Sequence, residues 1–330
     1  MDSLQLDVAI WRGDFLESRH HVHCAVVSED GTLLAASGNG ELTTWWRSCA
    51  KPFQAMTLLE TDEFDSLGWA EDQIAVACAS HGGEPEHLSV VGGMLADIDL
   101  EEGDLACGPH EPLTSRGSRL LRESGERLTR LHNNCSGKHA FMLALARSRN
   151  LSLAGYERQG HPVQQEAALR VSRWCGLPRE VLHEATDGCG VVVFGLPLRN
   201  MALAYARLAG ACLRDEEVPS RIVDAIRERP FLFAGTDRFD TVLLEASGGR
   251  VIAKIGAEGV HSAAVLDSGI GVAIKVEDGA PRAQYPALLK ALQYAGGLPD
   301  PLPPRLQEFV AKPIRNTRGE VVGRVELMER

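Results

Sequence analysis

The chain has 330 residues, 44% of them hydrophobic, and a formal net charge of −11. This is ordinary globular composition, and the acidic balance argues against a nucleic-acid phosphate partner, which calls for a positive surface. No run of 18 apolar residues is present, so no membrane-spanning helix is expected.

The first twenty residues mix acids into every short apolar stretch. They lack the basic-then-apolar order of an export signal, and the expected location is cytoplasmic. Residues 23–38, HCAVVSEDGTLLAASG, place two apolar runs either side of Glu29-Asp30-Gly31 and predict a hairpin. Residues 48–60, SCAKPFQAMTLLE, predict a helix with Pro52 near its start. Helical periodicity recurs at 85–98, 139–148, 162–175, 200–214 and 220–229. Between 249 and 279, three short strand patterns are separated by Glu258-Gly259 and Asp267-Ser268-Gly269, connections so short that they join antiparallel neighbours. Residues 285–296 return to helix. Helices in the middle and strands toward both ends predict an α+β fold, a mainly antiparallel sheet sandwiched between helical layers. No linker or repeat marks a boundary, so one domain over residues 1–330 is expected.

Lysine is scarce, with 6 against 28 arginines. Either residue serves as surface charge, but only lysine serves a site whose amine must lose a proton. Three of the 6 lysines lie in stretches that carry other reactive residues. Ser48 and Lys51, three apart on a predicted helix, share a face, and a neutral amine there can make the serine oxygen a nucleophile. With 19 serines and 6 lysines, about 0.3 such spacings arise by chance, so this pair alone competes with coincidence. Ser80 lies in CASHGGEPEH, a loop signal. Lys254 sits on a predicted strand two residues before Gly256, which resembles the K-T-G element that accompanies S-x-x-K in penicillin-recognising enzymes. The bland alternative is a lysine pointing outward from a half-exposed strand. The third stretch, LHNNCSGKHAFM, holds His132, Cys135, Lys138 and His139, and TDGCG holds Asp187 and Cys189. Thiolate and imidazole ligands suit zinc, with a carboxylate to orient them. A buried free Cys189, or a Cys135 nucleophile activated by His139, are the alternatives. The eight cysteines are scattered, and most are expected to be buried thiols.

Together, RSCAKPFQA, ASHGGEPEH, HNNCSGKHA, DGCG and KIGAEG resemble the asparaginase II family, the rhizobial-type L-asparaginases, from ESRHHVHCAVVSEDG to PIRNTRGEVVGRVE. The resemblance implies an amidohydrolase that releases ammonia from L-asparagine, a fold similar to serine β-lactamases and glutaminases, and a homodimer. It also implies two Ser–Lys pairs, Ser48 with Lys51 and Ser80 with Lys254, and zinc held by Cys135, Lys138 and Cys189 beside Asp187. Val192, where relatives often have proline, and Phe141, where a smaller residue is common, depart from the pattern and bear on pocket shape.

The expected mechanism is acyl-enzyme catalysis: Ser48 attacks while Lys51 takes its proton. Ser80 and Lys254 relay protons, and the second amine disfavours charge on the first. The Ser48 N–H contributes to the oxyanion site. Arg47 is expected to hold the substrate α-carboxylate, with His139 and Asp187 as further substrate contacts. A glutaminase differs by one methylene in its substrate. A β-lactam-directed acyltransferase lacks support, since no Ser-Asp-Asn element is present. A zinc-stabilised binding protein without turnover is the reading from another class.

Overall fold

The computed structural model describes residues 1–328. Its contacts gather the chain into two compact units, each assembled from separate segments. The first comprises Met1–Cys49, Gly195–Arg214 and the chain from Val242 onward; the second comprises Ala50–Phe194 and Asp215–Thr241.

The first unit is built on a six-stranded sheet. Its order is Asp2–Ser3, Leu33–Ser37, Val22–Ser28, Ile270–Val276, Val260–Val265, Val251–Ile255, and every pairing is antiparallel except that of the two-residue first strand. The predicted hairpin is the pair Val22–Ser28 and Leu33–Ser37, with Gly31 at φ +88° in its turn. The three strand patterns after residue 249 are there too, joined at Glu258-Gly259 with both residues at positive φ, as a tight hairpin requires. Val22–Ser28 and Ile270–Val276 are buried at consecutive positions rather than alternately, the signature of strands covered on both faces. The helices Leu198–Leu213 and Pro281–Tyr294 both pack on them. A four-stranded antiparallel sheet, ordered Pro313–Arg315, Val321–Leu327, Val8–Arg12, Phe15–His20, completes this unit. The hairpin Val8–His20 precedes the one expected to open the chain.

The second unit is predominantly helical. The helix Glu71–Cys78 is at its centre and touches the helices Lys51–Leu59, Pro85–Asp97, Ser136–Ser148 and Glu217–Glu228. Local chemistry sets several boundaries. Pro85 and Pro162 open their helices at positions where a missing N–H costs nothing. Thr114 caps Ser115–Ser124 by accepting the Gly117 N–H at 3.0 Å, and Gly125 and Gly176 close helices in the left-handed conformation. Phe141 is buried, and its ring packs against Phe64 and Trp69, with centroids 5.9 and 5.7 Å away. No described helix is long and apolar enough to cross a membrane.

One close approach positions the chemistry. A Cβ on Gly137 would lie 2.3 Å from the Val76 carbonyl oxygen. The helix carrying Lys138 therefore lies directly on the helix that leads to Ser80, and only glycine permits it. Gly137→Ala is expected to lower unfolding free energy by about 1–3 kcal/mol through overpacking, read as a reduced denaturant midpoint. Gly93→Ala, with open space around it on an exposed helix position, is the control and should be neutral or stabilising by up to about 1 kcal/mol.

Candidate active site

In the first unit, Trp46 to Cys49 are fastened to the strand that bears Lys254 and to its neighbour Val260–Val265. The buried Trp46 indole donates to Ser262 Oγ at 3.0 Å, and the Cys49 thiol donates to the Lys254 carbonyl at 2.9 Å. The Cys49 carbonyl accepts from the Tyr205 hydroxyl at 2.8 Å. Gly256 lets this segment in, since a Cβ there would meet Cys49 Sγ at 3.1 Å and the Trp46 carbonyl at 3.2 Å. Between these anchors Arg47 has φ +54°, a left-handed conformation that costs a non-glycine residue about 1–2 kcal/mol. Such strain persists where the surroundings over-determine it and is common at functional sites. Ser48 follows, half-buried, in the short 3₁₀ turn Arg47–Ala50. Lys254 is fully buried, its amine donating to the Ile255 carbonyl at 3.0 Å. It does not point outward from a half-exposed strand.

The regular α-helix begins at Lys51, three residues later than expected from the sequence. Lys51 belongs to the second unit and is 1% exposed. Its Nζ donates to the Ala79 carbonyl and the Asn134 carbonyl, and lies 3.2 Å from Ser80 Oγ. Ser80 is therefore the hydroxyl at the Lys51 amine. Because two carbonyls can only accept, they take two of the amine's hydrogens. Of the three partners, only the Ser80 hydroxyl can donate as well as accept.

The Ser80 loop is held by two histidines whose tautomers are fixed. His81 Nδ1 accepts the Gly83 N–H at 3.2 Å, so the hydrogen is on Nε2 and is shared with Ser136 Oγ at 2.9 Å. His87 Nδ1 accepts the Glu84 N–H at 3.2 Å, and its Nε2 donates to the Phe231 carbonyl at 3.0 Å. The two rings stack 5.0 Å apart. Burial is the chief cause that pushes both pKa values down. Glu84, 0% exposed, is ionised: burial pushes its pKa up, but hydrogen bonds from the Thr236 N–H, Arg116 and the Thr236 hydroxyl outweigh it.

Cys135, Lys138 and Cys189 come together in the second unit. Cys135 immediately precedes the helix Ser136–Ser148, and Lys138 Nζ lies 3.2 Å from Cys189 Sγ in the turn Asp187–Gly190. The neighbouring Cys135 side chain and the Lys138 charge push the Cys189 pKa well below its ordinary value, against the effect of burial. Burial works against the Lys138 ammonium, but the Cys189 and Cys135 sulfurs and Asp187 hold its pKa up. The half-buried Asp187 thus acts on this group electrostatically. Among the described residues, no three His, Cys, Asp or Glu side chains cluster as a metal site. The donor set is two soft sulfurs and a nitrogen, which suit zinc once the thiols and the amine have lost their protons.

His139 does not activate Cys135. The Cys135 thiol donates to Asn134 Oδ1 at 3.0 Å. His139 Nδ1 faces the Tyr156 hydroxyl at 2.6 Å, and that oxygen accepts the Ala106 N–H, so the tyrosine donates to Nδ1. The imidazole hydrogen is then on Nε2, which is buried with no protein partner among the described residues. Burial and the Lys138 charge push the His139 pKa down to about 3. Sequence reasoning did not find Asn134, Tyr156 or Glu84; the last stands in the quoted ASHGGEPEH, but nothing in spacing distinguishes it from the neighbouring Glu86.

The buried neutral imidazoles couple stability to pH. A histidine whose folded pKa lies below its free value of 6.5 leaves the unfolded chain binding more protons as pH falls. Their stabilising contribution is complete above pH 6.5 and is lost progressively below it, at about 1.4 kcal/mol per pH unit for each imidazole that stays neutral. Denaturant unfolding followed from pH 7.5 to 5 should show falling stability, and His87→Asn should flatten the slope; a pH-independent midpoint would contradict the assignment.

No curated protein matches the chain. Among solved structures it resembles one described as Mglu in its native form, at 14% identity and TM-score 0.47, over 84% of this chain and 64% of that one. The chain thus spans just under two thirds of that protein's length. A β-lactamase from Mycobacterium bovis is similar at 14% identity and TM-score 0.44, over 84% of this chain and 96% of the other. A Bacillus glutaminase is similar at 14% identity and TM-score 0.37, over 84% and 91%. The family model described as L-asparaginase II matches residues 8–327, nearly the whole chain, and the protein belongs to that family.

Proposed function

We propose that this amidohydrolase acts on L-asparagine through a serine acyl-enzyme. The observation that carries the reading is Lys51, a buried amine held at a serine hydroxyl in a chain of the L-asparaginase II family. A side-chain amide is a poor electrophile with a poor leaving group, so it calls for a deprotonated nucleophile and a proton donor. Ser48 attacks the amide carbon, and its proton passes to the Lys51 amine, with Ser80 as the relay. The resulting ammonium protonates the departing ammonia. Water then cleaves the β-aspartyl ester by the same route and releases aspartate. Arg47 takes the substrate α-carboxylate as a bidentate pair, Asp187 the α-ammonium, and the His139 side chain is a further contact. Lys254 is the second amine of the proton relay.

A second reading exchanges the two serines. Ser80 is the hydroxyl at Lys51, 3.2 Å from its amine. Against it as the nucleophile stands access: Ser80 is 4% exposed, whereas Ser48 is half-buried. Cys135, Lys138 and Cys189 would hold zinc, and a bound cation would fix both cysteines as thiolates and supply a permanent positive charge. Chelation is then expected to change substrate affinity more than the rate constant of the chemical step.

Ammonia release from L-asparagine and L-glutamine, offered separately, tests the substrate. Ser48→Ala should lower kcat about a thousandfold or more, and Ser80→Ala about tenfold to a thousandfold. Mass spectrometry of quenched enzyme should place the acyl adduct on Ser48; an adduct on Ser80 would establish the second reading, and no turnover of either amide would overturn both.

A further inference from the structure

The segment carrying Ser80 has no regular structure from Ala79 to Glu84 and includes Gly82-Gly83, the least constrained backbone a chain can have. Yet Ser80 must present its hydroxyl to Lys51. The near end is held by the Lys51 bond to the Ala79 carbonyl and by the His81 N–H, which donates to the Asn134 carbonyl at 3.2 Å. The far end is held by the side chain of Glu84. One carboxylate oxygen accepts the Thr236 N–H at 2.8 Å; the other accepts the Thr236 hydroxyl at 2.7 Å and Arg116 Nη1 at 2.5 Å. Space is reserved for it. A Cβ on Gly82 would come within 2.8 Å of the carboxylate, and one on Gly235, at φ +127°, within 3.0 Å.

A wholly buried carboxylate is an expensive way to fill that space, and an apolar residue of the same shape is often no less stabilising. What ion pairing and directed hydrogen bonds add is orientation. The donors converge from two separate stretches, the start of the helix Ser115–Ser124 and Gly235-Thr236, and admit one placement of residue 84. We infer that Glu84 is a positioning residue for Ser80, the anchor that sets where the loop delivers its hydroxyl; this rests on the reading of Ser80 as part of the Ser–Lys machinery.

The test is a double-mutant cycle on the full-length protein, with ammonia release as the assay. Glu84→Gln keeps the shape but loses the charge and turns a donor toward donors. In the wild-type background it should lower kcat about tenfold to a hundredfold with KM changed less than twofold. In a Ser80→Ala background it should lower kcat less than twofold, because the hydroxyl it places is already gone. Glu84→Asp should recover part of the loss. Thr236→Val, which removes one donor and keeps the backbone N–H, should give a smaller effect of the same pattern and serves if Glu84→Gln fails to fold. Equal fold-losses in both backgrounds would mean a general structural role and would overturn the inference while leaving Ser80 in the mechanism. Full activity in Ser80→Ala alone would remove Ser80 from the mechanism, and Glu84 with it.

Discussion

The proposed chemistry depends on one buried amine. A lysine removed from water must be surrounded by acceptors or lose its charge, and Lys51 meets that condition with two backbone carbonyls and a hydroxyl. Backbone carbonyls cannot give up or accept protons in the working pH range, so they fix the amine's orientation without competing for its proton. The serine hydroxyl is the one partner that can exchange one. The cage thus leaves the amine a single neighbour able to exchange a proton, and the close approach at Gly137, the hydrogen bonds of His81 and those of Glu84 hold the segments that carry Ala79, Ser80 and Asn134.

The same logic separates the two buried lysines of the second unit. Lys51 faces uncharged oxygens, whereas Lys138 faces the Cys189 sulfur, which favours its charged form. The two amines therefore stand in opposite surroundings, one among uncharged oxygens and the other beside sulfurs and a carboxylate that favour its charged form. Neutral histidines line the space between these roles. Each has one nitrogen occupied by a backbone N–H or a tyrosine hydroxyl, so none adds positive charge beside Lys51.

Much of this was legible in the sequence, and the boundary is physical. Helices with strong periodicity and terminal signals were located to within a few residues; Pro162–Cys175 agrees at both ends because proline opens it and Gly176 closes it. The three strands after residue 249 follow from alternating turn and apolar runs. The strands Val8–Arg12 and Phe15–His20 were missed because one is buried at three consecutive positions and the other is an exposed edge, so neither alternates cleanly in hydrophobicity. The scarcity of lysine pointed to Lys51, Lys138 and Lys254, which are all buried. The long-range partner was not legible from spacing: nothing along the chain joins Lys51 to Ser80, whose hydroxyl lies 3.2 Å from its amine. Glu84 left no mark because its partners, Arg116 and Thr236, lie far away in sequence.

The interleaved segments of the two units have a consequence for how the protein is made. All of the second unit has been synthesised once Thr241 is added, but the first unit still lacks the three strands that complete its main sheet. Val22–Ser28 pairs with Ile270–Val276, so one edge of the early hairpin waits uncovered while the ribosome translates everything between. At about 5–20 residues per second that wait is roughly 10–50 s. An unpaired apolar strand edge is the template on which chains aggregate, so the nascent protein has a long interval in which a chaperone that shields strand edges matters, and synonymous codons that slow elongation after residue 241 would lengthen it.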